Sequence, residues 1–212
     1  MTRIIVLAGA LDTKGREFAF VRDLIAQRGL QTLVIDFGVM GEPAFSPDIS
    51  RAEVAAAGNG DLETLADGNH KDEAMRVMAE GLAKIVRRLY NEGRLHGMLS
   101  MGGSGGTSIA TAAMRTLPVG VPKVLVSTVG GGDVSAYAGT KDITFMPSVV
   151  DVAGINRISR TIYTNAAGAI SGMVSMEAPQ TQRDAPLIVA SMFGNTTRSS
   201  GSRPQSSRRS RV

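Results

Sequence analysis

A glycine-rich segment around one serine is the stretch of this sequence best suited to chemistry. It reads GMLSMGGSGGTSIATAAM, from Gly97 to Met114. Its glycines at 102, 103, 105 and 106 permit positive φ angles and a close approach of backbone to ligand. A helix that starts here would aim its free amides at a phosphate. The segment therefore predicts a phosphate-binding loop, a nucleophilic serine on a sharp turn, or a plain strand-to-helix connection.

The glycine loop matches neither of the common phosphate-binding motifs. Its GGSGGT sequence lacks the Walker lysine before the threonine, and its glycines are not spaced as G-x-G-x-x-G. A phosphate on these amides would need a positive charge from elsewhere, and Lys14 and Lys71 are the candidates. Lys14 falls at the start of a predicted helix, where the macrodipole disfavours a cation and a bound anion would offset that cost. A lysine in water at this position would pay only a small penalty, so the alternative stays open.

The same glycines also match the nucleophile elbow G-x-S-x-G, with Ser104 at its centre. In that fold the acid and the histidine follow the serine along the chain. Both histidines, His70 and His96, precede Ser104. Because activation of a serine depends on an adjacent base, the sequence disfavours a serine hydrolase.

Two further loops carry groups that could bind a ligand. Asp12, Thr13 and Lys14 follow the first predicted strand directly, although Asp12 or Thr13 could simply cap the next helix. A second glycine run ending at Asp133 could be a ligand loop or a long turn. Asp36, at the end of the second strand, could accept from a ribose hydroxyl or only form a turn.

Strand and helix patterns alternate along the chain and must position these loops. Short apolar runs predict strands, and apolar residues at i, i+3 and i+4 predict helices. The predicted strands are 3–11, 31–38, 97–101, 123–128, 143–147 and 186–194, and the main predicted helices are 16–29, 71–93, 106–116 and 152–176. The methionines of the long helix, Met75 and Met78, are interpreted as core filling. This alternation predicts an α/β fold, with a mostly parallel open sheet covered by helices on both faces and ligands at the carboxyl ends of its strands.

Composition narrows the class of protein. The 212 residues, 43% hydrophobic and 20% charged, suffice for one α/β domain with a sizeable core. No apolar run of membrane-spanning length and no signal segment is seen, so we expect a cytoplasmic protein without a membrane partner. The absence of cysteine excludes disulfides and thiolate chemistry, and two histidines make a zinc site improbable, so no metal site is predicted.

The net charge of +4 comes from the last fifteen residues, which hold five arginines, six serines and no acidic residue. The rest of the chain has 18 basic and 19 acidic residues, so nucleic acid is not an expected partner of the domain. The 198–212 segment has no hydrophobic periodicity, and we expect it to be disordered. Its abrupt composition indicates either an RNA-binding tail or an out-of-frame end.

Several blocks of the chain together resemble the Tm-1-like, or UPF0261, family. The blocks are LDTKGREFAF, MGGSGGTSIATAAMRTLPVGVPKVLVSTV, GTKDITFMPSVVDVAGINRISRTI and NAAGAISGMV, and the similarity runs from about Arg3 to Thr197. Members of this family resemble two Rossmann-like halves in tandem, the first described as ATP-binding. The family includes a plant protein that blocks tobamovirus replication.

The resemblance implies a set of nucleotide contacts and a domain organisation. The implied contacts are Asp12, Thr13, Lys14, Val39, Lys71, Gly103, Ser104, Gly105 and Gly106. Relatives tend to carry arginine where Lys71 stands, and lysine keeps the charge without the planar fork. We expect a Rossmann-like nucleotide-binding domain over 1–178, a linker and first strand of a truncated second domain over 179–197, and the tail beyond.

The sequence is compatible with three functions. The first is a nucleotide-binding domain that holds ATP, with Mg²⁺ through Asp12 or Asp133, on the Gly103–Gly106 loop. The second is a metabolic isomerase, lyase or ligase acting on a phosphorylated or carboxylated substrate at the same anion site. The third is a protein-interaction module, expected as a homodimer that nucleotide stabilises. The sequence leaves open whether the chain is an enzyme.

Overall fold

Five parallel strands form one sheet in the computed structural model, which describes residues 3–66 and 71–177 of the chain. In chain order the strands are β1 (Ile4–Gly9), β2 (Gln31–Asp36), β3 (Gly97–Gly102), β4 (Lys123–Ser127) and β5 (Thr144–Pro147). They lie side by side in the order β2-β1-β3-β4-β5, and every neighbouring pair is parallel. The predicted parallel sheet is therefore confirmed. The predicted strand at 186–194 lies outside the described residues.

Helices cover both faces of this sheet, as predicted. They are α1 (Leu11–Ala26), α2 (Arg51–Ala57), α3 (Leu62–Leu65), α4 (Lys71–Asn91), α5 (Ser104–Met114), α6 (Ser135–Ala138) and α7 (Arg157–Ser175). One core cluster joins α1 and α7 to the sheet through Phe18 and Tyr163. The other joins α2, α4 and α5 to the opposite face. Successive residues of a strand point to opposite faces, so Ile5 enters the first cluster and Val6 the second.

Two glycines let helices α2 and α4 pack with their backbones in close contact. A Cβ atom on Gly81 would lie 1.9 Å from the carbonyl oxygen of Val54, and one on Gly58 would lie 2.1 Å from the carbonyl oxygen of Val77. Neither position has room for a larger residue. This contact fixes the long helix α4, whose first residues reach the carboxyl ends of the strands.

Helix boundaries differ from the predicted ones where loops were expected to be longer. Helix α1 begins at Leu11 rather than residue 16, and its first turn is separated from the rest by non-helical angles at Lys14 (φ −131°, ψ 16°). Helix α5 begins at Ser104 rather than at residue 106, so two of the four glycines belong to its first turn. The predicted boundary at 178 and the segments 179–197 and 198–212 lie outside the described residues.

The strand order reverses direction at the centre of the sheet. The chain leaves β1 towards β2 by α1 on one face, and it leaves β3 towards β4 by α5 on the other face. The loops that follow β1 and β3 therefore separate and leave a crevice between the carboxyl ends of these two neighbouring strands. Open α/β sheets bind ligands at this switch point.

Candidate functional site

A cavity of about 500 Å³ lies at the carboxyl ends of β1 and β3. Seven of the nine residues predicted to contact a nucleotide line it: Asp12, Thr13, Lys14, Val39, Lys71, Gly105 and Gly106. Gly103 and Ser104 belong to the same loop but do not line the cavity. Segments far apart in the sequence are thus brought to one place, because the carboxyl ends of parallel strands meet at one edge.

The N-terminus of helix α5 opens at this cavity without a side-chain cap. Gly103 is the N-cap residue, no side chain of the described chain bonds to the helix start, and the first turn contains no acidic residue. Helices α2 and α7, by contrast, are capped by Ser50 and Asn156. The first amides of α5 have no partner within the helix, and the dipole makes this end attractive to an anion.

The fold itself does not require glycine in this loop. All positive-φ glycines of the described chain lie elsewhere, so the predicted use of positive φ angles is wrong. A Cβ atom on Gly105 would lie 3.6 Å from Met75 Cε, and one on Gly106 would lie 4.0 Å from the Met101 carbonyl oxygen. Both distances are ordinary van der Waals contacts. What the glycines provide is an open approach from the cavity to the backbone amides.

The hydroxyl of Thr107 is not available to a ligand in the cavity. Thr107 is buried, and its Oγ1 lies 2.7 Å from the hydroxyl of Ser127 at the end of β4. This hydrogen bond ties helix α5 to the sheet. Ser104, in contrast, is exposed at the first position of the helix.

Asp12 holds the loop that follows β2 and forms part of the cavity wall. Its Oδ2 accepts hydrogen bonds from the backbone amides of Met40 at 2.9 Å and Gly41 at 3.2 Å. Its Oδ1 is buried and has no partner in the described chain. A Cβ atom on Gly38 would lie 2.6 Å from this Oδ1, so the carboxylate is in close contact with the loop. This arrangement places Val39 at the cavity.

Asp36 has a structural role beside the site and does not line the cavity. It is fully buried, and its Oδ1 accepts from the amides of Leu11 at 3.0 Å and Gly38 at 2.9 Å. Burial raises the pKa of this carboxyl, the two amides oppose the shift, and the charge of Asp12 adds to it. Asp36 therefore joins the loops after β1 and β2, as a turn-forming aspartate does, and is not placed to meet a ribose.

The two predicted cations both reach the cavity, in different settings. The Nζ of Lys14 donates a hydrogen bond to the carbonyl oxygen of Val152, 2.5 Å away in the loop before α7. Lys71 is the exposed first residue of α4. Thr13 is exposed, with its Oγ1 3.5 Å from the Ala10 carbonyl oxygen. Lys14 keeps further N–H groups, so both ammonium groups can meet an anion.

The apolar wall of the cavity was missed by the sequence analysis. Phe37, Met75, Met78 and Met101 line it together with Leu65 and Ile109. Met78 is fully buried, as predicted for core filling, yet it also faces the cavity. The sequence signal for this wall was weak, because methionines in the first two turns of a helix serve a core and a ligand pocket equally well.

The placement of His96 agrees with rejection of a serine nucleophile. His96 lies just before β3, at the amino edge of the sheet, and its Nδ1 accepts from the Ile4 amide at 3.1 Å. Ser104 stands at the other end of the same strand. His70 lies outside the described residues.

The described residues contain neither a membrane-spanning helix nor a cluster of metal ligands. None of their helices has the length and apolarity that a membrane crossing requires. No three or more of their acidic or histidine side chains are grouped as metal ligands would be. Asp133, a predicted Mg²⁺ ligand, does not line the cavity and instead accepts from the Ser135 amide at 2.9 Å.

The five parallel strands, the helices on both faces and the cavity at the switch point define the chain as a doubly wound α/β domain. Residues 3–179 match the model of the N-terminal domain of UPF0261, an uncharacterised protein family. The chain belongs to this family, as the resemblance implied.

Bacterial and plant relatives match the chain over different lengths. A UPF0261 protein of Clostridium tetani is 50% identical over 93% of this chain and 49% of its own length, and one of Rhizobium meliloti is 42% identical over 93% and 48%. The chain therefore spans about half the length of these bacterial relatives. The ToMV resistance protein Tm-1(GCR237) of Solanum lycopersicum is 39% identical over 58% of this chain and 17% of its own.

One solved structure, an alpha/beta-superfamily protein of Xanthomonas campestris, covers 81% of this chain and 98% of its own with a TM-score of 0.42 and 16% identity. A likeness at that level carries no argument about function.

Proposed function

We propose that residues 3–177 form a nucleotide-binding domain, with ATP as its ligand. The observation that carries this proposal is the uncapped start of α5, where glycines that the fold does not need open a path from the cavity to free amides. Unprotected helix starts of this kind bind phosphates in other nucleotide-binding domains. The volume of about 500 Å³ lies in the usual range for small-molecule sites, roughly 300–1,000 Å³.

The two halves of the cavity match the two halves of a nucleotide. Its apolar side, formed by Phe37, Met75 and Met78, suits a flat base that contacts methyl groups and sulfur. Its polar lining includes Gly105 and Gly106 of the helix start together with Lys14 and Lys71. Phosphates on the amides of this helix start would receive the positive charge that the loop itself lacks.

A Mg²⁺ ion that accompanies the triphosphate would find one suitable group in the cavity. Asp12 Oδ1 is a buried carboxylate oxygen without a protein partner in the described chain, which is the kind of ligand that Mg²⁺ prefers. The ion would neutralise phosphate charge, while Asp12 keeps its hydrogen bonds to the loop through Oδ2.

Calorimetric titration of the chain with ATP, ADP and ribose 5-phosphate tests this function. Heat with ATP and none with the sugar phosphate supports the nucleotide site. Binding of ribose 5-phosphate alone favours the alternative of a metabolic enzyme that holds a phosphorylated substrate on the same amides. Absence of binding to all three compounds would refute the anion site.

Alanine variants of two lysines, one that lines the cavity and one that does not, extend the same titration. Lys14→Ala should weaken ATP binding by about tenfold or more, because one charge-assisted contact is lost. Lys84→Ala is the control, since Lys84 also donates to a backbone carbonyl, that of Ala57 at 2.8 Å, but does not line the cavity. Equal affinity in the two variants would contradict the role of Lys14.

A further inference from the structure

A second cavity, of about 530 Å³, opens at the carboxyl ends of β4 and β5. It is lined by Thr128 and Gly131 after β4, by Pro147 at the end of β5, and by residues 148–151 that follow. It lies at the same edge of the sheet as the first cavity, yet the two share no lining residue. We propose that this second cavity binds a small hydroxylated molecule of the sugar or cyclic polyol class.

The loop that forms this cavity is fixed in place from several sides. Ser148 is buried, and its amide donates to the Ser127 carbonyl oxygen at 3.0 Å. The carbonyl oxygen of Val152 accepts from Lys14, and the Gly154 amide donates to the buried carboxylate of Glu17. A wall held by these contacts is formed before any ligand arrives.

Val149 is held in this loop in a conformation that valine rarely adopts. Its φ is +63°, and the Val150 amide donates to the Ser148 carbonyl oxygen at 2.7 Å, which closes a tight turn around it. Branched side chains are strained at positive φ, and such strain concentrates at binding sites. Val149 is 76% exposed, so its own burial does not compensate for the strain. The side chain of Val149 offers an apolar contact to a ligand in this cavity.

The chemistry of the lining residues selects the ligand class. Asp151 is the one charged lining residue, and none of the lining residues is a cation, so the cavity favours hydrogen-bond donors over anions. Thr128, an exposed residue, adds a hydroxyl as a second polar group. Pro147, Val149 and Val150 supply apolar surface. A ring that carries hydroxyls on its edge and C–H groups on its face matches both kinds of contact.

The glycine loop of the first cavity borders the second one. A Cβ atom on Gly103 would lie 3.8 Å from Oγ1 of Thr128. If the proposed function holds, phosphates in the first cavity would lie near the hydroxylated ligand. The second site does not depend on that function, because its lining residues form it without a nucleotide.

Saturation-transfer NMR with glucose, ribose and myo-inositol, in the absence of nucleotide, tests the proposal. At least one of them should receive saturation, and Asp151→Asn should bind it about tenfold more weakly. Asp133→Asn is the matched control, a nearby exposed aspartate outside both cavities, and should bind as the parent chain does. No transfer to any of the three, or equal binding by Asp151→Asn, would overturn the proposal. Binding of ethanolamine and of no polyol would overturn the ligand class.

A second variant separates binding from folding. Val149→Gly removes the strain and the apolar contact together, so its thermal midpoint should rise while polyol binding weakens. Unchanged polyol binding in this variant would contradict the place of Val149 in the site. Titration of the same samples with ATP measures the first cavity separately, so a loss of polyol binding can be told apart from a loss of nucleotide binding.

Discussion

Replacement of Gly105 by alanine tests whether the glycine loop serves the fold or a ligand. Gly105 lies in the first turn of α5 and lines the cavity. The new methyl group would lie 3.6 Å from Met75 Cε and 3.8 Å from Met75 Sδ, so it meets no steric obstacle. Alanine is also the better helix former, by up to about 1 kcal/mol in a helix interior. The free energy of unfolding of Gly105→Ala should therefore stay constant or rise by up to about 1 kcal/mol.

ATP binding should change in the opposite direction. The methyl group takes up the space through which a phosphate oxygen would approach the amides of the first turn. Loss of one hydrogen bond to a charged oxygen costs about 1.5–3 kcal/mol. At about 1.4 kcal/mol for each factor of ten, the dissociation constant should rise by about tenfold to a hundredfold.

Urea unfolding and calorimetric titration with ATP measure the two effects on the same samples. Gly172→Ala is the matched control, because Gly172 lies in helix α7, far along the chain from the cavity residues, and a Cβ atom there would meet nothing within 4 Å. It should gain stability without a change in ATP binding. Unchanged affinity in Gly105→Ala would refute the placement of phosphates on this loop. A large loss of stability would show that the fold needs this glycine.

Two further predictions concern the framework around the site. Gly81→Ala should destabilise the chain by about 1–3 kcal/mol in urea unfolding, since its Cβ would meet the Val54 carbonyl oxygen at 1.9 Å. Asp142→Asn should cost about 1–3 kcal/mol, because the ammonium of the fully buried Lys123, 2.8 Å away, loses its charged partner. Burial works to raise the pKa of Asp142, but the hydrogen bond from Lys123 and the Gly120 amide outweigh it and lower that pKa below 3.8. This carboxylate therefore stabilises the fold above pH 3.8 and loses its effect as pH falls through the lowered value, which acid unfolding of the parent and the variant would compare.

The sequence was sufficient to predict the sheet and the edge at which the candidate residues meet. Each strand is a short apolar run bounded by turn residues, and the periodicity of α4 placed Leu82, Ile85 and Val86 in the core, where all three are buried. Since parallel strands end at one edge, loops chosen for their chemistry were expected to meet, and Asp12 and Gly105 do line one cavity.

What the sequence did not reveal depends on contacts between distant residues. Lys14 donates to a carbonyl oxygen 138 residues further along the chain, and no local pattern encodes that contact. Positive φ was expected in the glycine loop but occurs at Val149, where residue type argues against it. The double role of Met78 in core and cavity follows from where the helix sits on the sheet, which periodicity cannot specify.

The position of β1 between β2 and β3 has a consequence for how the protein folds. One edge of β1 pairs with β2, which is its near neighbour in sequence. The other edge pairs with β3, where the hydroxyl of Ser100 donates to the carbonyl oxygen of Ala8, 92 residues earlier in the chain. Closing a loop of that length costs more entropy than closing the short β1–β2 connection. The crevice between β1 and β3 does not exist until this pairing is made. Ligand capture in the first cavity would then report a late event in folding, and on the ribosome it could not precede the synthesis of β3 and α5.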